Sequence, residues 1–369
     1  MPRGSVPTAA EKARGLVVAV DLEDPRRPLE PELEEYEALI RAAGADLVAR
    51  LVQKRVSVDP ATLVGSGKAV EIAALAEAHE ATTIFVFNDL RPRQRTNLEK
   101  AIPLPIVDRT MVILDVFAQR ARSREGRLQV ELAQLRYRQA NLIGVGAALS
   151  RLGGGIGTRG PGETKLEVDR RRIQARISVL RGALEEVRTA RTTRRSEAGK
   201  EPLVALVGYT NVGKSSLLNR LAHVAAGRGA FVADQPFATL DPTLRRVYIV
   251  PNRFVRLADT VGFITDLPKE LVAAFRATLE ELEYADLLLH VFDASNADWP
   301  RQLAGVEDIL RDLGLENKPS ILVANKIDAR GEQPLPAGAL GVSARTGEGL
   351  EGLRAAVARR LGFPETVPE

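Results

Sequence analysis

A chain of 369 residues, 45% hydrophobic and 27% charged, has the makeup of a soluble globular protein of two or three domains. Cysteine is absent, which excludes a disulfide framework and a thiolate metal site, and no run of about 18 apolar residues is present to span a membrane. A net charge of +4 permits nucleic-acid binding without demanding it, so where the charge sits matters more than its sum.

Residues 1–15 read as a frayed arm without the apolar core of a signal peptide, and a cytoplasmic location is expected. Leu16 to Asp21 reads as a first strand. A helix is expected from about Pro31 to Ala43, because Leu33, Tyr36, Leu39 and Ile40 share one face; Gly44 stops it. Asp46 to Val58 holds a further strand. Leu63 to Lys68 is a glycine turn into a helix from Ala69 to Glu80; its spacing is too short for a phosphate loop and it reads as structural. Thr83 to Phe87 and Pro105 to Asp108 complete the strands. Alternating strands and helices make residues 1–109 a small α/β subdomain.

From Thr110 long helices take over, and residues 110–197 read as a helical hairpin. Phe117, Ala121, Arg124, Leu128, Leu132, Leu135 and Leu142 follow a 4-3 spacing, with Arg124 a polar break. Leu166, Ile173, Ile177, Leu180, Leu184 and Val187 repeat it. Two such seams predict an antiparallel hairpin or short coiled coil; two unrelated amphipathic helices are the alternative. Between them, Ile143 to Glu163 contains eight glycines, a composition that predicts a non-helical, mobile tip. Arg151, Arg159, Lys165, Arg170, Arg171 and Arg172 cluster around it. A cationic tip on a rigid arm suits a phosphate-lined RNA site, and a solvated loop without ligand fits the composition equally well. Arg188 to Lys200 is polar and reads as a linker.

Residues 198–364 are organised by Gly208-Tyr209-Thr210-Asn211-Val212-Gly213-Lys214-Ser215, which fits the phosphate-loop pattern G-x-x-x-x-G-K-[ST] at every fixed position. The apolar run Leu203 to Val207 precedes it as a buried parallel strand, and Ser216 to Leu221 follows as a helix. Backbone N–H groups through Asn211, Val212, Gly213 and Ser216, with the helix dipole, form an anion site. Lys214 is placed for the β- and γ-phosphates and Ser215 for Mg²⁺. Thr239, within Phe237 to Thr243, supplies a second Mg²⁺ ligand and senses the γ-phosphate. Asp259 holds the metal through water, and the Gly262 N–H reaches the γ-phosphate. Lys214, Thr239 and Gly262 are thus the catalytic candidates. The strand Ser320 to Ala324 ends in Asn325-Lys326-Ile327-Asp328, where one carboxylate accepts both N1–H and the 2-amino N–H of guanine; adenine lacks that pattern, so GTP and GDP are the expected ligands. Ser343 and Ala344 place backbone near guanine O6. Strand ends are where open α/β sheets bind ligands. Residues 365–369 read as a tail.

This pattern resembles the translation-factor-related GTPases and, within them, the HflX family. The resemblance rests on Gly153 to Glu163, on Asp234 to Thr243, on Asp259-Thr260-Val261-Gly262-Phe263, and on Asn88-Asp89-Leu90 with Pro92 and Gln94. It covers roughly residues 16–362. It implies an α/β P-loop GTPase domain preceded by a small α/β subdomain and a helical hairpin. It also implies binding to the large ribosomal subunit and its ribosomal RNA, and rescue of stalled ribosomes by subunit splitting. Many members carry an extra C-terminal domain; here only Gly362 to Glu369 follows the last helix.

Many GTPases place glutamine after the glycine at 262 to orient the attacking water. Phe263 neither donates nor accepts a hydrogen bond, so slow hydrolysis by the monomer alone and stimulation by a partner are expected. In related cation-dependent GTPases an asparagine at 211 ligates K⁺; a loop-stabilising amide is the alternative. Loss of the γ-phosphate is expected to release residues 231–243 and 260–270. Two other functional classes compete with the ribosomal one: a GTP-controlled RNA-modification or RNA-remodelling factor, and a switch scaffold for a protein partner. Against the former, residues 1–110 contain no metal cluster and no evident nucleophile–base pair.

Overall fold

A computed structural model describes residues 12–24, 28–152, 161–197, 201–222, 236–237, 239–264 and 282–364, with backbone alone at 142–152, 161–166 and 190–197. The chain divides into two compact units, Met1–Val116 with Tyr137–Ile173, and Phe117–Arg136 with Gln174–Glu369.

The first unit is built on a parallel sheet of order β2-β1-β3-β4, with strands β1 (Arg14–Asp21), β2 (Asp46–Lys54), β3 (Thr83–Val86) and β4 (Ile106–Asp108). Leu16 to Val20 are all buried, as a central strand covered on both faces requires. Helices α1 (Leu29–Ala42), α2 (Ser66–Ala78) and α3 (Pro92–Ala101) are the crossovers. The periodic face of α1 faces inward: Leu33, Tyr36, Leu39 and Ile40 are buried, and the Tyr36 hydroxyl donates to the Val86 carbonyl at 3.0 Å. The glycine turn before α2 is structural, with Lys68 paired to Glu71 at 2.8 Å. At the end of β4, Asp108 pairs with Arg95 of α3 and accepts a hydrogen bond from the Tyr137 hydroxyl. Burial, with the Asp108 charge, pushes the Tyr137 phenol well up.

Three helices follow: α4 (Arg109–Arg120), α5 (Arg124–Leu152) and α6 (Pro161–Glu197). Three expectations are corrected here. The first seam, continuous in spacing, belongs to two helices, because Ser123 turns its hydroxyl onto the N–H of Gly126 at 2.8 Å and starts a new helix there. The Gly-rich stretch 143–163 is not wholly non-helical. Gly144 and Gly146 sit among Leu142, Ile143, Val145 and Ala147, and their cost of about 1 kcal/mol each does not stop α5, which runs to Leu152. Only 153–160 of that stretch lies outside the described residues. The expected linker is helical as far as Glu197, since arginine, glutamate and alanine are good helix formers whatever their charge. Of the seam residues, Phe117, Leu132, Ile177 and Leu180 are buried, and Arg176 pairs with Glu131 at 2.7 Å.

The second unit holds a sheet of order β10-β9-β8-β5-β7-β6. Its strands are β5 (Leu203–Gly208), β6 (Thr243–Val250), β7 (Arg253–Asp259), β8 (Leu287–Asp293), β9 (Ser320–Asn325) and β10 (Leu340–Gly341). All neighbours are parallel except β6 with β7. Central β5 is buried throughout, and edge strand β6 alternates exposed and covered residues. Helices α7 (Lys214–Leu221), α8 (Trp299–Asp312) and α9 (Leu350–Arg360), with a short 3₁₀ turn (Ile327–Ala329), complete the described elements. Among the described residues, no helix is long and apolar enough to cross a membrane.

Candidate nucleotide site

The site lies at the C-terminal ends of β5, β7, β8 and β9. The chain leaves β5 at Gly208, turns, and enters α7 at Lys214. Gly213 has φ +90°, and a Cβ there would lie 2.4 Å from the Asn325 amide nitrogen, so the turn needs glycine twice over. The loop is fixed from beneath by Phe263. Its N–H donates to the Gly208 carbonyl at 3.1 Å, and its carbonyl accepts the Thr210 N–H at 2.7 Å. The Phe263 ring is buried, so packing in the core is its structural role, and it has no polar group to orient water. A Cβ on Gly262 would come within 2.8 Å of the Thr210 Cα and 3.1 Å of the Lys214 ammonium. Only glycine allows that approach.

Lys214 is buried, its ammonium donating to the carbonyls of Gly208 at 3.1 Å and Tyr209 at 2.7 Å. Burial pushes this lysine down to about 8, against the attraction of Asp259. Ser215, Thr239 and Asp259 converge beside it. The Ser215 hydroxyl donates to Asp259 Oδ2 at 2.5 Å, the Thr239 hydroxyl reaches the same oxygen at 3.0 Å, and the two hydroxyls are 2.8 Å apart. Burial raises the Asp259 carboxyl, opposed by Lys214 and by these hydroxyls. Its other oxygen, Oδ1, is buried with no hydrogen-bond partner among the described residues. Two hydroxyls and a carboxylate with a spare buried acceptor form a hard oxygen donor set that suits a water-rich divalent cation. Among the described residues no cluster of three or more His, Cys, Asp or Glu stands elsewhere as a metal site.

The second half of the site is carried by β9. Buried Asn325 donates its amide to the Val212 carbonyl at 2.8 Å and accepts the Ala344 N–H at 3.1 Å, joining the phosphate loop to the segment after β10. Lys326 adopts φ +61° and pairs with Asp293, at the end of β8, at 2.6 Å. Ser343 donates to Asp328 Oδ1 at 2.5 Å and Arg345 pairs with Oδ2 at 2.7 Å. The Ser343 hydroxyl, helped by the Arg345 charge, holds Asp328 below the usual carboxylate range.

The structure thus brings together Gly208, Asn211, Val212, Gly213, Lys214, Ser215 and Ser216 with Thr239, Asp259 and Gly262, and beside them Asn325, Lys326, Asp328, Ser343 and Ala344. Asp293 and Arg345 escaped sequence reasoning. Asp293 has the only available signal, a carboxylate at the end of an apolar strand. Of the cationic tip residues, Arg170 and Arg171 are exposed on α6, Arg171 pairing with Glu167 at 2.5 Å. Arg151 and Lys165 lie on helical backbone, and Arg159 falls outside the described residues.

Three family models match the chain: "GTP-binding GTPase N-terminal" over residues 30–118, "GTP-binding GTPase Middle Region" over 120–198, and "50S ribosome-binding GTPase" over 203–326. A GTPase HflX of Caldanaerobacter subterraneus subsp. tengcongensis is 48% identical over 363 residues, covering 97% of this chain and 82% of the relative. A GTPase HflX of Escherichia coli strain K12 is 44% identical over 341 residues, covering 89% and 79%. A GTP-binding protein from the archaeon Sulfolobus solfataricus, solved in complex with GDP, aligns over 95% of this chain and 99% of that one at 23% identity and a TM-score of 0.47.

Proposed function

Because the chain belongs to the HflX family of GTPases, we propose that it spends GTP hydrolysis on work at the large ribosomal subunit, splitting stalled or inactive ribosomes. The observation that supports this most is the convergence of Ser215, Thr239 and Asp259 beside the Lys214 ammonium. Lys214 neutralises the transferring phosphoryl group, and the Gly262 N–H faces the same group. Mg²⁺, held by Ser215 and Thr239 and by Asp259 through water, would offset charge on the β- and γ-phosphate oxygens. Asp328 reads guanine by accepting two N–H bonds, for which Arg345 swings outward from an exposed position. Phe263 leaves the water unoriented, so turnover is slow until a partner orders the site. A K⁺ ion held by Asn211 belongs to the same proposal; equal turnover in K⁺ and Na⁺ would remove it and leave Asn211 a loop-stabilising amide.

The ribosomal half rests on the family description of residues 203–326 and on the basic character around the tip. In this proposal the protein is a cytoplasmic monomer whose Arg151, Arg159, Lys165, Arg170 and Arg171 meet ribosomal RNA phosphates. Co-sedimentation with purified large subunits, with and without a GTP analogue, tests it. Replacing Arg151 and Arg159 by Ala should weaken association and flatten its salt dependence, leaving nucleotide affinity near wild type. Association with transfer RNA alone would favour an RNA-modifying role instead.

A further inference from the structure

The segment that carries Thr239 is anchored at both ends on the elbow between α4 and α5. On one side, buried Phe237 stacks edge-on against Phe117 of α4, ring centroids 4.5 Å apart at 66°. On the other, Asp241 reaches the two residues that lead into α5. Its Oδ2 accepts the N–H of Arg122 at 2.8 Å and of Ser123 at 2.7 Å, and its Oδ1 accepts the Ser123 hydroxyl. Gly126 makes room for it: a Cβ there would stand 2.4 Å from Asp241 Oδ1. A carboxylate at the start of a helix is also favoured by the helix dipole. Thr239 lies two residues from each anchor and bonds Ser215 and Asp259. Two residues span at most about 7 Å of chain, so Thr239 has little freedom to move while both anchors hold.

We propose that Asp241 is a positioning residue for Thr239, and that the α4–α5 elbow is where the helical region reads the nucleotide. With the γ-phosphate present, Thr239 docks and Asp241 is seated on the Arg122 and Ser123 amides. When the phosphate leaves, Thr239 releases, Asp241 withdraws, and the Arg122 and Ser123 amides that lead into α5 lose their acceptor. The proposal rests on the GTPase reading of the site and is independent of the ribosomal one.

Hydrogen exchange of the full-length protein, read at the Arg122 and Ser123 amides that donate to Asp241, tests it without ribosomes. A non-hydrolysable GTP analogue should slow exchange there about tenfold or more relative to GDP, as expected for loss of bonds to a charged acceptor. Asp241→Ala should erase the difference and lower turnover about tenfold while GDP affinity stays within about twofold. Asp241→Asn, which keeps one acceptor, should fall between. Gly126→Ala is the decisive partner. Alanine favours a helix over glycine, so a purely structural turn would tolerate or gain from it. Here its methyl displaces Asp241, and turnover should fall as in Asp241→Ala. Equal exchange with both nucleotides, or wild-type turnover in Gly126→Ala, would overturn the proposal. Failure to bind GTP at all would instead strike the nucleotide site itself.

Discussion

Asp328 offers two acceptor oxygens at the end of β9, and guanine offers two matching donors. Replacing it by Asn turns one acceptor into a donor, so Asp328→Asn should shift preference from GTP toward XTP. Nucleotide competition binding checks this, and unchanged GTP affinity without gain for XTP would remove Asp328 as base reader. Lys214 gives a second test. Burial holds it at about 8, down from an ordinary 10.5. A bound triphosphate places negative charge beside it and favours the ammonium, so its pKa rises on binding. Between those two values GTP binding should therefore take up protons, seen as a buffer-dependent calorimetric enthalpy. Lys214→Ala should lose that uptake and most hydrolysis. These residues were legible in the sequence because phosphate and guanine chemistry fix both residue type and spacing. Arg345 and Asp241 were not, since their partners lie 17 and 118 residues away, at Asp328 and Ser123, and contacts at such separation leave no periodic trace.

The helices show where pattern succeeds and where it misleads. Ile177 and Leu180 are buried on the seam that their spacing marks, and neighbouring Val179 is 61% exposed. Ile177→Ala should cost about 2–5 kcal/mol in denaturant unfolding. Val179→Ala should stay within about 0.5 kcal/mol. Equal costs would mean that the seam does not carry α6. The same periodicity hid the elbow: the 4-3 spacing runs unbroken across residues 121–123, where the chain actually stops one helix and caps the next. What decides the break is local hydrogen bonding by Ser123, which hydrophobic period does not register. Composition misled in the other direction at 143–163, because glycines scattered among strong helix formers tax a helix without ending it.

At the scale of the whole chain, fold class followed from alternation of apolar runs and periodic helices, and β5 sits in the middle of its sheet as its unbroken apolar sequence demands. What a chain-wide pattern does not encode is the coupling between parts: which side chain of the nucleotide segment touches which turn of the arm. That coupling matters because Phe263 has no polar group to orient water, so the proposed mechanism looks to a partner for control. The central claim is therefore a poor hydrolase made effective by its partner. The direct measurement is single-turnover GTP hydrolysis with and without purified large ribosomal subunits at fixed salt. The account predicts slow turnover alone and an acceleration of about 100-fold or more with subunits, the scale of a group positioned in the transition state. Rapid hydrolysis by the protein alone, or a rate unmoved by saturating subunits, would contradict it.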